Sequence, residues 1–438
     1  MKKRYARFLL NAAILGFVSC GSRPPEATVR SWVNFEHLNG LCQDVWLDSS
    51  EAVIVHVYSE YPSYKWVDAG KEGIACVDDA ARAAILYMVH SEWTGDKTAL
   101  PRIRGLLNFV MYMQSGDGGF WNFIDSSHQI NTTGVTSRNS FNFWAVRGYW
   151  ALGFGIRFFR PIDGQYADSL RRRFLWCREP VRQLLSKYGT YKSGTDRNYP
   201  AWLVNEHGSD ATSEFLLGID EFLKTEPDSE LTDAALKLSE GILSMQLGNS
   251  DPFPGAFLSW LDLWHGWANS QTAVLTGLGS LLSRPDFIKA AEQEAGQFYP
   301  ALIDSQFFAS FALKQDGKID QFPQISYGIY PVVAGLTALC RIMEEKRHGA
   351  KAGLAAAWLF GRNPAGMAMY DPKTGRCFDG IESEKKINLN SGAESTIEAL
   401  KTLVEVGRCP EASRSLVQWT KENRDRIGKR THSSKQGQ

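Results

Sequence analysis

The chain has 438 residues, with 48 basic and 48 acidic side chains and a formal net charge of zero. A nucleic-acid partner requires a basic surface that binds phosphate, so this balance argues against nucleic-acid binding as the main function. The 14 Trp and 24 Phe residues indicate instead a large core or a cleft lined by aromatic rings.

Residues 1–19 have the pattern of a secretory signal peptide, a basic start followed by an apolar run at 8–18 that is too short to span a bilayer. The run ends in a small residue and Cys20, which resembles a bacterial lipoprotein cleavage box with Phe17 in place of the usual Leu. The sequence predicts a lipid on Cys20, a tether at 20–29 and no other membrane contact. We therefore expect the protein in the bacterial cell envelope, in the periplasm or at the outer membrane.

Beyond residue 78, long helical stretches come in pairs separated by short breaks rich in Gly, Pro and Asp. Short connections make antiparallel neighbours, so each pair is a helical hairpin. The six predicted pairs are 78–93 with 98–114, 140–159 with 166–187, 210–223 with 230–247, 268–283 with 287–304, 326–345 with 349–361, and 394–407 with 411–427.

Six hairpins of this size can close into a double-layered ring. The predicted fold class is therefore all-α, an (α/α)6 toroid over residues 30–428. We expect it to include a short helix at 30–45 and a β-like segment at 52–58. A basic, Ser-rich end at 429–438 is predicted to be a disordered tail.

Two adjacent acids, Asp78 and Asp79, stand where an irregular segment becomes an Ala-rich helix. One acid is enough to cap a helix and to meet the positive end of its dipole. The second has the same charge and needs another reason, such as catalysis or pairing with Arg82, four residues after Asp78. The alternative is a doubly acidic cap on a surface helix.

A second acidic helix start lies at the other end of the chain, where an Asn-, Ser- and Gly-rich loop leads to Glu394. Glu near a helix start can also serve in capping. A closed ring, however, places its first and last hairpins side by side, so we expect Glu394 to face Asp78 and Asp79.

These motifs resemble those of the six-hairpin glycosidase superfamily. The matching segments are Val77-Asp78-Asp79, Asp117-Gly118-Gly119-Phe120, Gly361-Arg362-Asn363-Pro364, Asp379-Gly380 and Asn390-Ser391-Gly392-Ala393-Glu394. The end of the chain is similar to inverting cellulases, in which a Gly-x-Asn-Pro segment precedes the catalytic Glu. The cellulase acid pair is spaced Asp-x-x-Asp, whereas here the aspartates are adjacent. Bacterial toroids with a D-D-x-A-R helix and a G-A-E-S-T end resemble the chain more closely.

Glycosidic hydrolysis needs one protonated and one ionised carboxylate. The resemblance implies Glu394 as general acid and an acid of the pair as base; we assign Asp79 to that role and Asp78 as cap or second candidate. Packed helix axes lie about 8–10 Å apart, which predicts room for a water and an inverting reaction. We expect burial near Tyr370 and Phe378 to keep Glu394 protonated, and Arg82 to keep Asp79 ionised.

Polar and aromatic residues at the other predicted helix starts and loops can bind a sugar through hydroxyl contacts and ring stacking, although most Trp residues in a large protein serve packing. The candidate substrate-binding residues are Arg82, Trp121, Arg138, Trp144, Asp210, Glu214, His265, Trp267, Asn269, Tyr327 and Asp379. No zinc, dinucleotide or phosphate-loop motif is present, so we predict no metal and no cofactor.

Three functions remain open. The first is an exported glycoside hydrolase that acts on an oligosaccharide or polysaccharide by two-carboxylate catalysis. The second is a polysaccharide lyase or sugar epimerase, in which Tyr327, His265 and Arg138 would carry the chemistry. The third is a carbohydrate-binding lipoprotein without activity, which the presence of both Asp79 and Glu394 disfavours.

Overall fold

The computed structural model describes residues 28–194, 197–315 and 317–433. Its helices, in chain order, are α1 (Glu36–Leu41), α2 (Val77–Thr94), α3 (Leu100–Tyr112), α4 (Phe143–Phe159), α5 (Gly164–Phe174), α6 (Arg178–Leu185), α7 (Val204–His207), α8 (Ser209–Leu223), α9 (Ser229–Leu243), α10 (Gln271–Leu281), α11 (Pro285–Gln293), α12 (Tyr299–Asp304), α13 (Tyr330–Met343), α14 (Lys346–Ala356), α15 (Ala393–Arg408) and α16 (Pro410–Ser433).

The helices form two concentric layers. The inner ring consists of α2, α4, α8, α10, α13 and α15, each packed on the next, and α15 packs on α2 to close it. The outer layer, α3, α5 with α6, α9, α11 with α12, α14 and α16, packs against the inner helices of the same hairpins. The six predicted hairpins and the (α/α)6 toroid are confirmed.

Small residues allow the inner helices to approach closely. Gly153 of α4 faces Gly218 of α8, where a Cβ atom on Gly153 would lie 2.3 Å from the Gly218 carbonyl oxygen. In α2, the four alanines Ala80, Ala81, Ala83 and Ala84 are all buried. Inner helices buried on most sides need no polar stripe, whereas outer helices such as α9 bury one face and expose the other.

Short strands fill the connections between the hairpins. They are β1 (Cys42–Leu47), β2 (Ser50–Val55), β3 (Tyr58–Glu60), β4 (Lys65–Val67), β5 (Ala75–Cys76), β6 (Phe123–Ile124), β7 (Tyr191–Ser193), β8 (Asn198–Pro200), β9 (Leu263–His265), β10 (Ser310–Ala312), β11 (Lys318–Asp320), β12 (Tyr370–Asp371), β13 (Arg376–Cys377), β14 (Gly380–Ser383) and β15 (Lys386–Asn388). Consecutive strands pair antiparallel, and β9, β10 and β11 form one sheet.

Strands β6–β15 lie in segments that lead from an outer helix to the next inner helix, and β1–β5 lie in the segment that leads into the first inner helix, α2. Such segments end at the N-terminus of an inner helix, so they gather at one end of the ring. This end therefore carries the loops, the N-termini of the six inner helices and the positive ends of their dipoles.

The N-terminal region differs from the prediction of one helix at 30–45. A 3-10 turn at Val29–Trp32 and the short α1 are followed by the β1–β2 hairpin. Alternating buried residues in β1 pack this hairpin against α3, which favours strand over helix. Val29, in the predicted tether, is fully buried in the core.

At the other end, α16 continues to Ser433, into the segment predicted as a disordered tail. The predicted signal peptide and Cys20 lie outside the described residues. One stretch, Ser326–Met343, is long and apolar enough to cross a membrane, but 72% of it is buried within the ring, as expected for an inner helix.

Candidate active site

Arg82 of α2 stands at the centre of the N-terminal end of the ring, with a side chain only 1% exposed. Its guanidinium contacts carboxylates of both terminal hairpins. From α2, these are Asp78 at 3.3 Å and Asp79 at 2.8 Å; from α15, Glu394 at 3.2 Å and Glu398 at 3.3 Å. The structure thus brings Asp78, Asp79 and Glu394 together, because ring closure places α15 against α2.

None of these three acids is the N-cap of its helix. The N-cap of α2 is Cys76, whose sulfur accepts the Asp79 N–H at 3.4 Å and whose thiol donates to Asp79 Oδ2 at 3.3 Å. At α15, Asp379 Oδ1 accepts the Gly392 N–H at 2.7 Å. The acidic-cap alternative therefore does not explain the acids, although all three lie in first turns, where the helix dipole favours negative charge.

Arg82 and its four carboxylates form a charged cluster. A second buried guanidinium, that of Arg147 in α4, extends this cluster across the ring. It donates to Asp78 Oδ2 at 2.5 Å, to Glu214 at 2.8 Å and to the Tyr327 hydroxyl at 2.7 Å. The Tyr327 hydroxyl in turn donates to Glu214. Glu214 and Tyr327, both predicted as site residues, thus hold Arg147 in place against Asp78.

The two aspartates differ in protonation. Burial acts to raise the pKa of Asp78, but the neighbouring Arg147 and Arg82 outweigh it and the pKa of Asp78 is lowered. Burial raises the pKa of Asp79 to about 7; Arg82 opposes the shift, and the charges of Asp78 and Glu394 add to it. The expectation that Arg82 keeps Asp79 ionised is therefore wrong, because the cost of burial exceeds the stabilisation by one shared cation.

The three carboxylates also differ in their access to solvent. The side chain of Glu394 is 45% exposed and that of Asp78 is 19% exposed, whereas that of Asp79 is 3% exposed. Glu394 is therefore not buried near Tyr370 and Phe378 as predicted, and the Tyr370 hydroxyl donates to the Trp32 carbonyl at 2.8 Å. Glu394 and Asp78 are the acids that a ligand can reach.

The spacing of Asp79 and Glu394 does not fit the expected inverting pair. Each places an oxygen on Nη2 of Arg82, at 2.8 Å and 3.2 Å. The two oxygens can be no farther apart than the sum of these distances, which is below the separation of about 6.5–9.5 Å typical of inverting enzymes. The guanidinium occupies the space predicted for a water between Asp79 and Glu394.

Three charged residues of the cluster were not predicted, namely Arg147, Glu398 and Lys401. Lys401 contacts Glu398 at 3.0 Å and lies over the Tyr330 ring at 3.8 Å. Glu398 follows Glu394 by one helical turn, a spacing that puts both on one face and would have identified it. Arg147 and Lys401 gave no such signal, since their role depends on which inner helices face each other.

His265 and Asp210 form a second polar pair near the cluster. Nε2 of His265 lies 3.0 Å from Asp210 Oδ2, and its ring stacks on Trp267 with centroids 3.9 Å apart. Trp267 also packs against Phe143 at 5.1 Å and lies 6.4 Å from the Tyr327 ring. The predicted residues Asp210, His265 and Trp267 are thus joined to the cluster through aromatic contacts.

Other predicted residues mainly support the loops. Trp144 donates its indole N–H to the Phe120 carbonyl at 2.8 Å. Asn269, buried, accepts from the Ser259 hydroxyl at 2.9 Å. Trp121 is half-buried beside the core, and Arg138 is exposed in the loop before α4. Asp379 also accepts the Ser395 hydroxyl at 2.6 Å, so it supports the turn that carries Glu394.

Comparison with known proteins finds no matching family model and no matching curated sequence. Solved structures do match. Cellobiose 2-epimerase from Bacillus thermoamylovorans B4167 is 10% identical with a TM-score of 0.64, over 87% of this chain and 98% of that one. D-mannose isomerase is 12% identical with a TM-score of 0.60, over 88% and 99%.

An α-1,6-mannanase of Salegentibacter sp. HEL1_6, solved with α-1,6-mannotetrose as an inactive variant with two adjacent aspartates replaced, is 10% identical with a TM-score of 0.55, over 87% and 98%. These neighbours are all enzymes of sugar chemistry, and they include both hydrolases and epimerases or isomerases. The chain shares the fold of these enzymes, an (α/α)6 toroid.

Proposed function

We propose that this protein is a glycoside hydrolase that cleaves a neutral oligosaccharide or polysaccharide. The observation that carries the proposal is the convergence of Asp78 and Glu394, from the first and last inner helices, on the guanidinium of Arg82. Both of these carboxylates are accessible to solvent, and both lie at the loop-bearing end of the ring. Two carboxylates in different environments are what glycosidic hydrolysis requires.

Asp78 is suited to the anionic role. Two guanidiniums keep it ionised: its buried Oδ1 lies 3.3 Å from Nε of Arg82, and its Oδ2 lies 2.5 Å from Nη1 of Arg147. Because 19% of the side chain is exposed, we assign this carboxylate the role of accepting a proton from a water or attacking the anomeric carbon. Glu394, the more exposed acid, is left as the proton donor to the departing sugar oxygen.

Asp79 has a different role in this proposal. Its Oδ1 is taken by Arg82 and its Oδ2 by the Cys76 thiol, and its side chain is buried. It can orient Arg82 between the two accessible acids, but it cannot reach a substrate in this arrangement. We therefore assign the role of base to Asp78, the second candidate, in place of Asp79.

The charge of the cluster favours a neutral sugar. Carboxylates outnumber cations, with Asp78, Asp79, Glu214, Glu394 and Glu398 against Arg82, Arg147 and Lys401. A lyase that acts on a uronate needs a cation for the substrate carboxylate. Here each of the three cations already pairs with protein carboxylates, which disfavours that alternative.

The adjacent aspartates of the mannanase give further support. In that enzyme a variant with two adjacent aspartates replaced is inactive, and it was solved with a manno-oligosaccharide. The present chain has one adjacent aspartate pair at the start of an inner helix, Asp78 and Asp79. An α-linked mannan is thus a reasonable first substrate to test.

A sugar epimerase is the second candidate, and the His265–Asp210 pair favours it. A histidine oriented by a carboxylate and stacked on Trp267 can move a proton at a carbon next to a carbonyl. His265 is 9% exposed, and within the part of the chain that the structure describes no second histidine contacts it. For this reason the carboxylate mechanism is preferred.

The experiment is a digestion of manno- and cello-oligosaccharides in deuterated water, with products analysed by mass spectrometry. Hydrolysis shortens the chains, and the proposal predicts loss of this activity in Asp78→Asn and Glu394→Gln. Glu382→Gln, at an exposed acid of β14, is the matched control and should retain it. Products of unchanged length that carry carbon-bound deuterium would show an epimerase instead.

A further inference from the structure

We propose that Tyr58 and Tyr61, in the β3–β4 hairpin, form a binding surface for a glycan chain that extends outward from Glu394. Neither tyrosine was predicted as a site residue. The inference rests on the proposed function for the identity of the ligand. It adds a substrate class, namely chains longer than the units held at the carboxylates.

The hairpin is joined to the loop that leads into α15. The Ser391 N–H donates to the Ser59 carbonyl at 3.0 Å, and the Ala393 N–H donates to the Val57 carbonyl at 2.9 Å. Tyr58 lies between these two hydrogen bonds, beside the turn that begins α15. A Cβ atom on Gly392 would lie 3.8 Å from Cδ1 of Tyr58. The ring of Tyr58 is therefore a direct neighbour of the segment that carries Glu394.

Tyr61 continues the surface along the same loop. Its backbone N–H donates to the Asn390 side-chain oxygen at 3.1 Å. Its ring meets the Tyr64 ring edge-on at 6.0 Å, and Arg376 lies over Tyr64 at 4.2 Å. These contacts fix the position of Tyr61, so little conformational freedom is lost when a ligand binds.

Both rings have free surface. Tyr58 and Tyr61 are each 49% exposed, and Glu394 beside them is 45% exposed. Large exposed aromatic rings that are held in place mark binding surfaces more often than isolated apolar residues do. A pyranose ring presents an apolar C–H face that can pack on a tyrosine ring, while its hydroxyls remain in water.

The position of the tyrosines indicates that the ligand of this surface is a glycan chain of several sugar units. It begins at Glu394 and runs toward Asn390, along the outside of the carboxylate cluster. A longer oligosaccharide covers more of this surface than a disaccharide held at Asp78 and Glu394 does. Neutral sugars also suit a surface beside an acidic cluster, which would repel an anionic lipid or peptide.

The test measures affinity as a function of chain length in the Glu394→Gln background, where cleavage is blocked. The probes are the disaccharide and the hexasaccharide of the α-1,6-manno and cello series, measured by calorimetry. We expect the hexasaccharide to bind more tightly, and Tyr58→Ala and Tyr61→Ala each to reduce the hexasaccharide-to-disaccharide affinity ratio by about two- to ten-fold. Tyr58→Phe keeps the ring and should keep the ratio.

Trp66→Ala is the matched control. Trp66 lies in the same hairpin and is 48% exposed. It pairs with Ser59 in the strand register, so its side chain lies on the opposite face of the hairpin from Tyr58. There its ring stacks on His56, with ring centroids 3.7 Å apart. An unchanged ratio in Tyr58→Ala and Tyr61→Ala, an equal loss in Trp66→Ala, or no dependence on length in either series would overturn the inference.

The binding result and the proposed function can fail separately. If the wild-type protein shortens oligosaccharides but the tyrosine variants keep the ratio, the surface is refuted and the hydrolase stands. If no chain is shortened but the ratio depends on the tyrosines, the surface stands and the hydrolase is refuted.

Discussion

Arg82 and Glu398 form a buried ion pair between the first and last inner helices, with Nη1 and Oε1 3.3 Å apart. The side chains are 1% and 0% exposed. They are separated by 316 positions in sequence, so their contact depends on closure of the ring. The same guanidinium reaches Asp78 and Glu394, which links the stability of the fold to the geometry of the candidate active site.

We predict that Glu398→Gln destabilises the protein by about 3–5 kcal/mol, because it removes the negative charge that Lys401 and Arg82 share in the core. The measurement is the free energy of unfolding in urea. Glu179→Gln, which breaks an exposed pair with Arg182, is the control and should cost about 0–1 kcal/mol. Similar losses in the two variants would show that the buried cluster does not hold the ring together.

The raised pKa of Asp79 predicts a pH dependence of stability. The folded protein holds a proton on Asp79 up to about pH 7, whereas an unfolded chain releases it at about pH 4. The stability that this group contributes therefore falls as pH rises from about 4 to about 7, by at most about 1.4 kcal/mol per pH unit. Above about pH 7 it is level.

The measurement is the difference in unfolding free energy between wild type and Asp79→Asn across this pH range. Subtraction removes the other titrating groups, including Glu294, whose pKa burial also raises to about 7. A difference that grows with pH would mean that the pKa of Asp79 is lowered and that Arg82 dominates after all.

Asp379 is predicted to act on catalysis through Glu394. Its Oδ1 accepts from the Gly392 N–H and the Ser395 hydroxyl, on both sides of Glu394 in sequence. We expect Asp379→Ala to lower kcat about ten-fold or more, since small displacements of catalytic groups are costly. Asp379→Asn keeps the accepting oxygen and should restore most of kcat, and equal kcat in both variants would exclude a positioning role.

A lipid anchor on Cys20 remains a proposal drawn from the sequence. Cys20→Ala should convert the full chain from a membrane-associated to a soluble protein when expressed in a bacterial host. Activity per molecule should not change, because the carboxylates of the candidate active site lie at residue 78 and beyond. Continued fractionation of Cys20→Ala with membranes would contradict the anchor.

The six helical hairpins could be predicted from the sequence because the residues that end a helix act locally. Breaks such as Pro161-Ile162-Asp163-Gly164 and Arg408-Cys409-Pro410 end helices by their own chemistry, and their spacing gives six hairpins. The proximity of Asp78 and Glu394 followed from closure. Residues 30–45 were misread because apolar residues at helical spacing also occur where a short helix runs into a strand.

The states of the acids could not be read from sequence. Asp78 and Asp79 are adjacent and identical, yet one faces two guanidiniums and solvent while the other is enclosed by Cys76 and Arg82. Their protonation depends on burial and on Arg147, which arrives from another hairpin. Such contacts exist only after the helices have packed.

The central claim is that Asp78 and Glu394 direct water to a glycosidic bond, and the most direct test is the fate of that water. The wild-type protein is incubated with an oligosaccharide in oxygen-18-labelled water, and the products are analysed by mass spectrometry. Our account predicts shortened chains that carry the label at the new reducing end when they are analysed before anomeric exchange with the solvent, and no shortened chains with Glu394→Gln. Conversion of the sugar with unchanged chain length and no label from bond cleavage would contradict it.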